Sequence, residues 1–88
     1  MSHSSFEDCN LRDADLRSTR MEAVRFERCD LTGADLRGAR FEGCEMLGCT
    51  LDGLRAVDRL RGVAMPWNDI VAAAGLFAGE LGVRVLED

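Results

Sequence analysis

From Phe6 to Leu51 a large apolar residue recurs at every fifth position: Phe6, Leu11, Leu16, Met21, Phe26, Leu31, Leu36, Phe41, Met46 and Leu51. Two positions before each stands a small or β-branched residue: Ser4, Cys9, Ala14, Thr19, Val24, Cys29, Ala34, Ala39, Cys44 and Cys49. The other positions are mostly Asp, Glu, Arg, Gly, Ser or Thr, with Ala23 and Leu47 the exceptions. A period of five fits neither regular element. On a helix five steps rotate about 500° and scatter the large residues around the barrel. On a flat strand an odd spacing sends successive large residues to opposite faces. The pattern makes sense only if the chain turns a corner about every five residues, so that the same two positions return inward each time. Each unit is then one side of a coil, and the coils stack as a solenoid. The small inward site lets the coil close tightly and the large one fills its middle.

Two stretches, Ala14-Asp15-Leu16-Arg17-Ser18 and Ala34-Asp35-Leu36-Arg37-Gly38, have the form Ala-(Asp/Asn)-Leu-x-x, and Cys9-Asn10-Leu11 and Cys29-Asp30-Leu31 repeat it with Cys at the small site. On these residues the sequence resembles the pentapeptide-repeat proteins, and the likeness covers Ser4 to Gly53, ten units in register. Departures are mild: Val24 is bulky for its site, and Arg20, Arg25 and Arg40 replace the usual Asp or Asn. The resemblance implies a mainly β chain: a short right-handed, four-sided parallel β-helix of about 20 residues per coil, about two and a half coils long, with a C-terminal α-helix. At a strand spacing of roughly 4.7–4.9 Å such a stack stands about 12 Å tall. Its sides would carry Phe6, Phe26 and Met46; Leu11, Leu31 and Leu51; Leu16 and Leu36; and Met21 and Phe41.

With 88 residues there is room for one domain. We read 1–56 as the repeat stack and 57–88 as a connector, a capping helix over about 66–81 and a short terminal strand. Leu54 and Ala56 make a poor eleventh unit, and Arg55 to Gly62 read as a connector. Pro66 suits the first position of a helix, where its missing N–H costs nothing. Trp67, Ile70, Val71, Ala74, Phe77, Ala78 and Leu81 follow at helical spacing, and Gly82 suits the C′ position. Val83 to Leu86 alternate as an edge strand would, ahead of a charged tail, Glu87 and Asp88. Members of the family often end in such a helix, which covers the open end of the coil and can mediate dimerisation, so the resemblance implies a homodimer through this region, with the bare N-terminal face as the rival contact. Trp67→Ala is then expected to unfold or aggregate the chain. The first coil starts at Ser4 without a cap, so its bare face is either covered in an oligomer or continued by a longer solenoid.

All four cysteines, Cys9, Cys29, Cys44 and Cys49, fall at small inward sites, where a free thiol behaves as a compact hydrophobe. With no Cys-x-x-Cys pair and His3 as the only histidine, a zinc site is not expected, nor any other metal or cofactor. Paired carboxylates such as Glu7 and Asp8, or Asp13 and Asp15, lie on convex faces with no cleft to shift their titration. No Ser/His/Asp set, P-loop or dinucleotide fingerprint occurs, so no catalytic residue is expected and the chain is not read as an enzyme. Its 16 acids against 11 arginines give a net charge of −5, which argues against direct nucleic-acid binding. No apolar run approaches membrane-span length, and residues 1–5 lack the features of a secretion signal. Reduced thiols without a signal suggest the cytoplasm.

The leading functional expectation is a non-catalytic scaffold that presents a surface to an unidentified protein partner. The resemblance also supplies an alternative: some family members are acidic rods that imitate DNA and bind type II topoisomerases such as gyrase, modulating them or protecting them from quinolones. That reading needs a continuous negative face. Here Glu7/Glu27, Glu22/Glu42 and Asp15/Asp35 form acidic stripes, but Arg17/Arg37 and Arg20/Arg40 flank two of them, and residues 1–53 carry 11 acids against 7 arginines.

Overall fold

The computed structural model describes residues 3–84 and 86. Its strands are short and parallel: β1 (Ser5–Glu7), β2 (Arg20–Glu22), β3 (Arg25–Glu27), β4 (Arg40–Glu42), β5 (Cys44–Leu47) and β6 (Val63–Ala64). They form one sheet in the order β1-β3-β5-β6 and a second of β2 and β4. Phe6 stands over Phe26 and Phe26 over Met46, while Met21 stands over Phe41. Single bridges continue the pattern on the intervening segments, Asn10 to Asp30 to Thr50 and Asp15 to Asp35 to Arg55. Up to Arg55 each rung joins residues twenty apart, so successive turns of the chain lie over one another in four columns.

The corners show how the period of five is made. A positive φ recurs at residues 3, 8, 13, 18, 23, 28, 33, 38, 43, 48 and 53. The last five are glycines; the first six are His3, Asp8, Asp13, Ser18, Ala23 and Arg28, which L side chains adopt only at some cost. Between corners the backbone groups bond to the next turn. The Asp8 N–H donates to the Glu27 carbonyl and the Asp30 N–H to the Cys9 carbonyl, both at 2.9 Å, and the alternation repeats along the stack.

Side chains at the two inward positions build the core. Met21, Val24, Phe26, Cys29, Leu31, Ala34, Leu36, Ala39, Phe41, Cys44, Met46 and Leu51 are buried. Phe6, Cys9, Leu11, Ala14, Leu16 and Thr19 are only half-buried, because among the described residues their turn has a neighbour on one side alone; Cys49 is half-buried at the other end. Rings stack within a column, Phe6 on Phe26 at 5.3 Å, and meet edge-on between columns, Phe26 to Phe41 at 6.5 Å, geometries that favour aromatic pairs.

Beyond Gly53 the structure departs from expectation. The segment read as a connector belongs to the core: its Val57 and Leu60, on a 3-10 turn spanning Val57–Leu60, are buried, as is Leu54 of the eleventh unit just before it. Leu54 occupies a small site and Ala56 the large one after it, so the two volumes are exchanged and the bulk still faces inward. A corner at Ala56, only three residues after Gly53, tightens the turn. Val63 consequently pairs with Cys44, nineteen residues back rather than twenty.

The expected single helix is two, α1 (Trp67–Ala72) and α2 (Ala74–Leu81), with Pro66 outside as the N-cap. They break at Ala73, whose N–H is shared between the Asp69 and Ile70 carbonyls at 3.0 and 3.2 Å. The break lets both helices reach the stack: Asp69 on α1 accepts the Gly48 N–H at 2.6 Å, while Ala73, Leu76 and Phe77 pack on the core. Gly82 ends α2 in the left-handed region as expected. Val83 and Arg84 form no strand; Val85, Glu87 and Asp88 lie outside the described residues.

Candidate interaction surfaces

The outward charges of the stack pair with one another. Arg17 clasps Asp15 through Nε and Nη2 at 2.9 and 3.0 Å, and Arg37 clasps Asp35 one turn on. The side-chain bonds from Arg17, with its backbone N–H at 3.1 Å, hold the Asp15 carboxyl down at about 2 against an ordinary 3.8. Asp35 is lowered by Arg37 in the same way. Other pairs join turns. Arg28 donates to both oxygens of Asp8 at 2.8 and 3.2 Å and lowers its pKa. Arg20 lies 3.0 Å from Glu22 and 3.7 Å from Glu42. The acidic stripes are therefore interleaved with guanidiniums, and the expected glutamate and aspartate ladders do not add to an unbroken negative face.

The thiols point into the stack. Cys29, Cys44 and Cys49 each donate to a main-chain carbonyl of the preceding turn, those of Phe6, Met21 and Phe26. Cys9 donates to the Glu7 carbonyl, two residues back, at 3.4 Å. Burial raises the pKa of Cys49, and burial with the neighbouring Cys29 that of Cys9, which disfavours the thiolate that nucleophilic or redox chemistry needs. Among the described residues no group of three or more His, Cys, Asp or Glu could hold a metal ion.

The face of α1 and α2 assigned from spacing to cover the stack does not do so as a unit. Ile70 and Phe77 are half-buried, but Trp67 is 73% exposed, Val71 55% and Leu81 79%, and Ala74 is exposed. The sequence pattern does not fix this phase because the segment is apolar on nearly every side, with Ala72, Ala73 and Leu76 as eligible as the residues that spacing selects. Trp67 and Val71 on α1 and Leu81 on α2 are instead apolar side chains left exposed. Between the helices and the last turn runs a groove of about 300 Å³, lined by Cys49, Leu51, Asp69, Ala73 and Leu76.

A second recess, about 440 Å³, opens where Ala39–Glu42 meets the chain from Asp58 to Gly62. Arg40, Arg59 and Arg61 line it together with Glu42 and Asp58. Spacing alone gave no sign of it, because the repeat register ends at Gly53. The glycine corners, in contrast, were open to discovery: Gly33, Gly38, Gly43, Gly48 and Gly53 carry the same period as the large residues. No helix among the described residues is long and apolar enough to cross a membrane.

The model of a family described as pentapeptide repeat region matches residues 1–55, more than half of the chain. A comparison with curated proteins finds no match.

Proposed function

The chain belongs to the pentapeptide-repeat family, and from that premise we propose that it is a non-catalytic interaction module whose four columns close into a right-handed, four-sided coil. The observation that carries the reading is the exposure of Trp67, Val71 and Leu81 on helices that Asp69, Ala73, Leu76 and Phe77 anchor to the stack. Exposed apolar patches of this kind mark sites of protein association. A second copy of the chain is the partner it fits first: a two-fold axis beside α1 and α2 would bring each apolar face onto its own image, and Gly75 and Gly79, with open space where a Cβ would stand, allow close helix approach. Imitation of DNA toward a topoisomerase draws less support, since that role asks for continuous negative charge and the stack's carboxylates are largely matched by arginines.

Sedimentation equilibrium of the intact chain tests the proposal. A dimer that becomes monomeric in Trp67→Asp or Val71→Asp, with circular dichroism unchanged, is the expected result. A monomer at all concentrations, or a dimer indifferent to both substitutions, would overturn it.

A further inference from the structure

We infer that the recess between Ala39–Glu42 and Asp58–Gly62 binds a phosphate oxyanion, free or as the head of a small phosphomonoester. The argument is one of charge left over. Seven arginines, at positions 12, 17, 20, 25, 28, 37 and 59, have a carboxylate within 4.0 Å. Arg40, Arg55, Arg61 and Arg84 have none among the described residues. Arg55 sits beside Asp13, Asp15 and Asp35, but Arg40 and Arg61 line one recess together.

The repeat explains the surplus. Arg20 stands over Arg40 and Glu22 over Glu42, and Arg20 spans both glutamates, so the carboxylate nearest Arg40 in sequence is already engaged. A further turn of the same composition would bring another acid. The chain brings Arg59, Arg61 and Gly62 instead, with Asp58 as the one carboxylate, itself 3.9 Å from Arg59. Three arginines thus line the recess with two acidic residues, on a chain whose net charge is −5. Planar guanidinium forks match phosphate oxygens two at a time, and a dianion needs two of them. The volume of about 440 Å³ admits a phosphomonoester with a small organic group. The acidic balance elsewhere disfavours diffuse capture of anions, so binding should be confined to this place.

The test is an NMR titration of the isotope-labelled intact chain with inorganic phosphate, phenyl phosphate and acetate, read at backbone amides and arginine Nε–H groups. Saturable shifts confined to Ala39–Glu42 and Asp58–Gly62, in the millimolar range expected of an open site, support the site. Tighter binding of phenyl phosphate assigns a phosphomonoester, and equal binding assigns free phosphate. Arg40→Gln and Arg61→Gln should each weaken binding roughly tenfold, with Arg84→Gln unchanged and all three melting like the parent. Shifts spread over every arginine, acetate binding as tightly as phosphate, or affinities indifferent to Arg40→Gln and Arg61→Gln would overturn it. The assay reads the recess and not the association of α1 and α2, so either proposal can fail alone.

Discussion

The thiol of Cys29 donates to the main-chain carbonyl of Phe6, 3.3 Å away in the preceding turn and 23 residues back in sequence. Cys44 and Cys49 repeat that reach toward Met21 and Phe26. A small inward cysteine therefore both fills space and supplies a weak donor. Cys29→Ala keeps the first role and loses the second, and should cost roughly 1 kcal/mol by urea unfolding. A loss above about 3 kcal/mol would mean that the site is packed more tightly than alanine can satisfy.

Asp15 is the carboxyl whose titration the structure marks most clearly. Its folded pKa, about 2, lies below the ordinary 3.8, so its stabilising contribution is complete above the unfolded value and fades as pH falls from about 4 through about 2. In Arg17→Gln the Asp15 carboxyl should titrate above its parent value, moving toward 3.8 but held below it by the backbone N–H of residue 17 and by Arg37. Carbon-detected NMR of the side-chain carboxyl reads both values, and an unshifted Asp15 in the parent would show that the Arg17 clasp does not form in solution.

Corners differ in what they tolerate. At Gly62, with φ 88°, an added Cβ would meet the Phe41 carbonyl oxygen at 2.8 Å, whereas at Gly43 the nearest atom is the Ala23 nitrogen at 4.0 Å. Gly62→Ala should cost roughly 2–4 kcal/mol, combining backbone strain with overlap. Gly43→Ala carries the left-handed penalty alone, about 1–2 kcal/mol. The reverse exchange, Ala23→Gly at φ 53°, should stabilise by up to about 1 kcal/mol. Thermal melts rank the three, and equal losses for the two alanine variants would refute the steric distinction.

Trp67 and Phe77 should separate stability from association. Trp67 is 73% exposed in the single chain, so Trp67→Ala, expected from spacing to unfold the chain, should change stability by less than about 0.5 kcal/mol when both proteins are compared at concentrations where they are monomeric. Phe77 packs on the core, and Phe77→Ala should cost about 1.5–3 kcal/mol. A Trp67→Ala variant that melts well below the parent under those monomeric conditions would return Trp67 to the role of a cap.

Most of the stack was legible in the sequence because its inward positions repeat without interruption: Phe6, Phe26 and Met46 share a column, as do Met21 and Phe41. What the repeat could not convey lies where it stops. Leu54 and Ala56 exchange sizes and the corner comes early at Ala56, so Val57 and Leu60 enter the core at positions no five-residue count selects. The helical face was misjudged for a different reason. Periodicity finds which residues can share a side, but among so many alanines and leucines only contact with Gly48 and the last turn chooses the side. The Arg40 recess depends on that same irregular return, and no local motif announces it.

Rungs that join residues twenty apart also give the chain an arithmetic of permissible length. Excising a block of twenty between equivalent corners shortens the stack by one storey and leaves every column in phase. Excising five keeps the inward residues inward but rotates all that follows by one side, so that leucines fall beneath phenylalanines. Excising one turns the succeeding hydrophobic residues toward water. Growth and loss in such a chain are thus quantised, with whole storeys tolerated best, single sides next and single residues least.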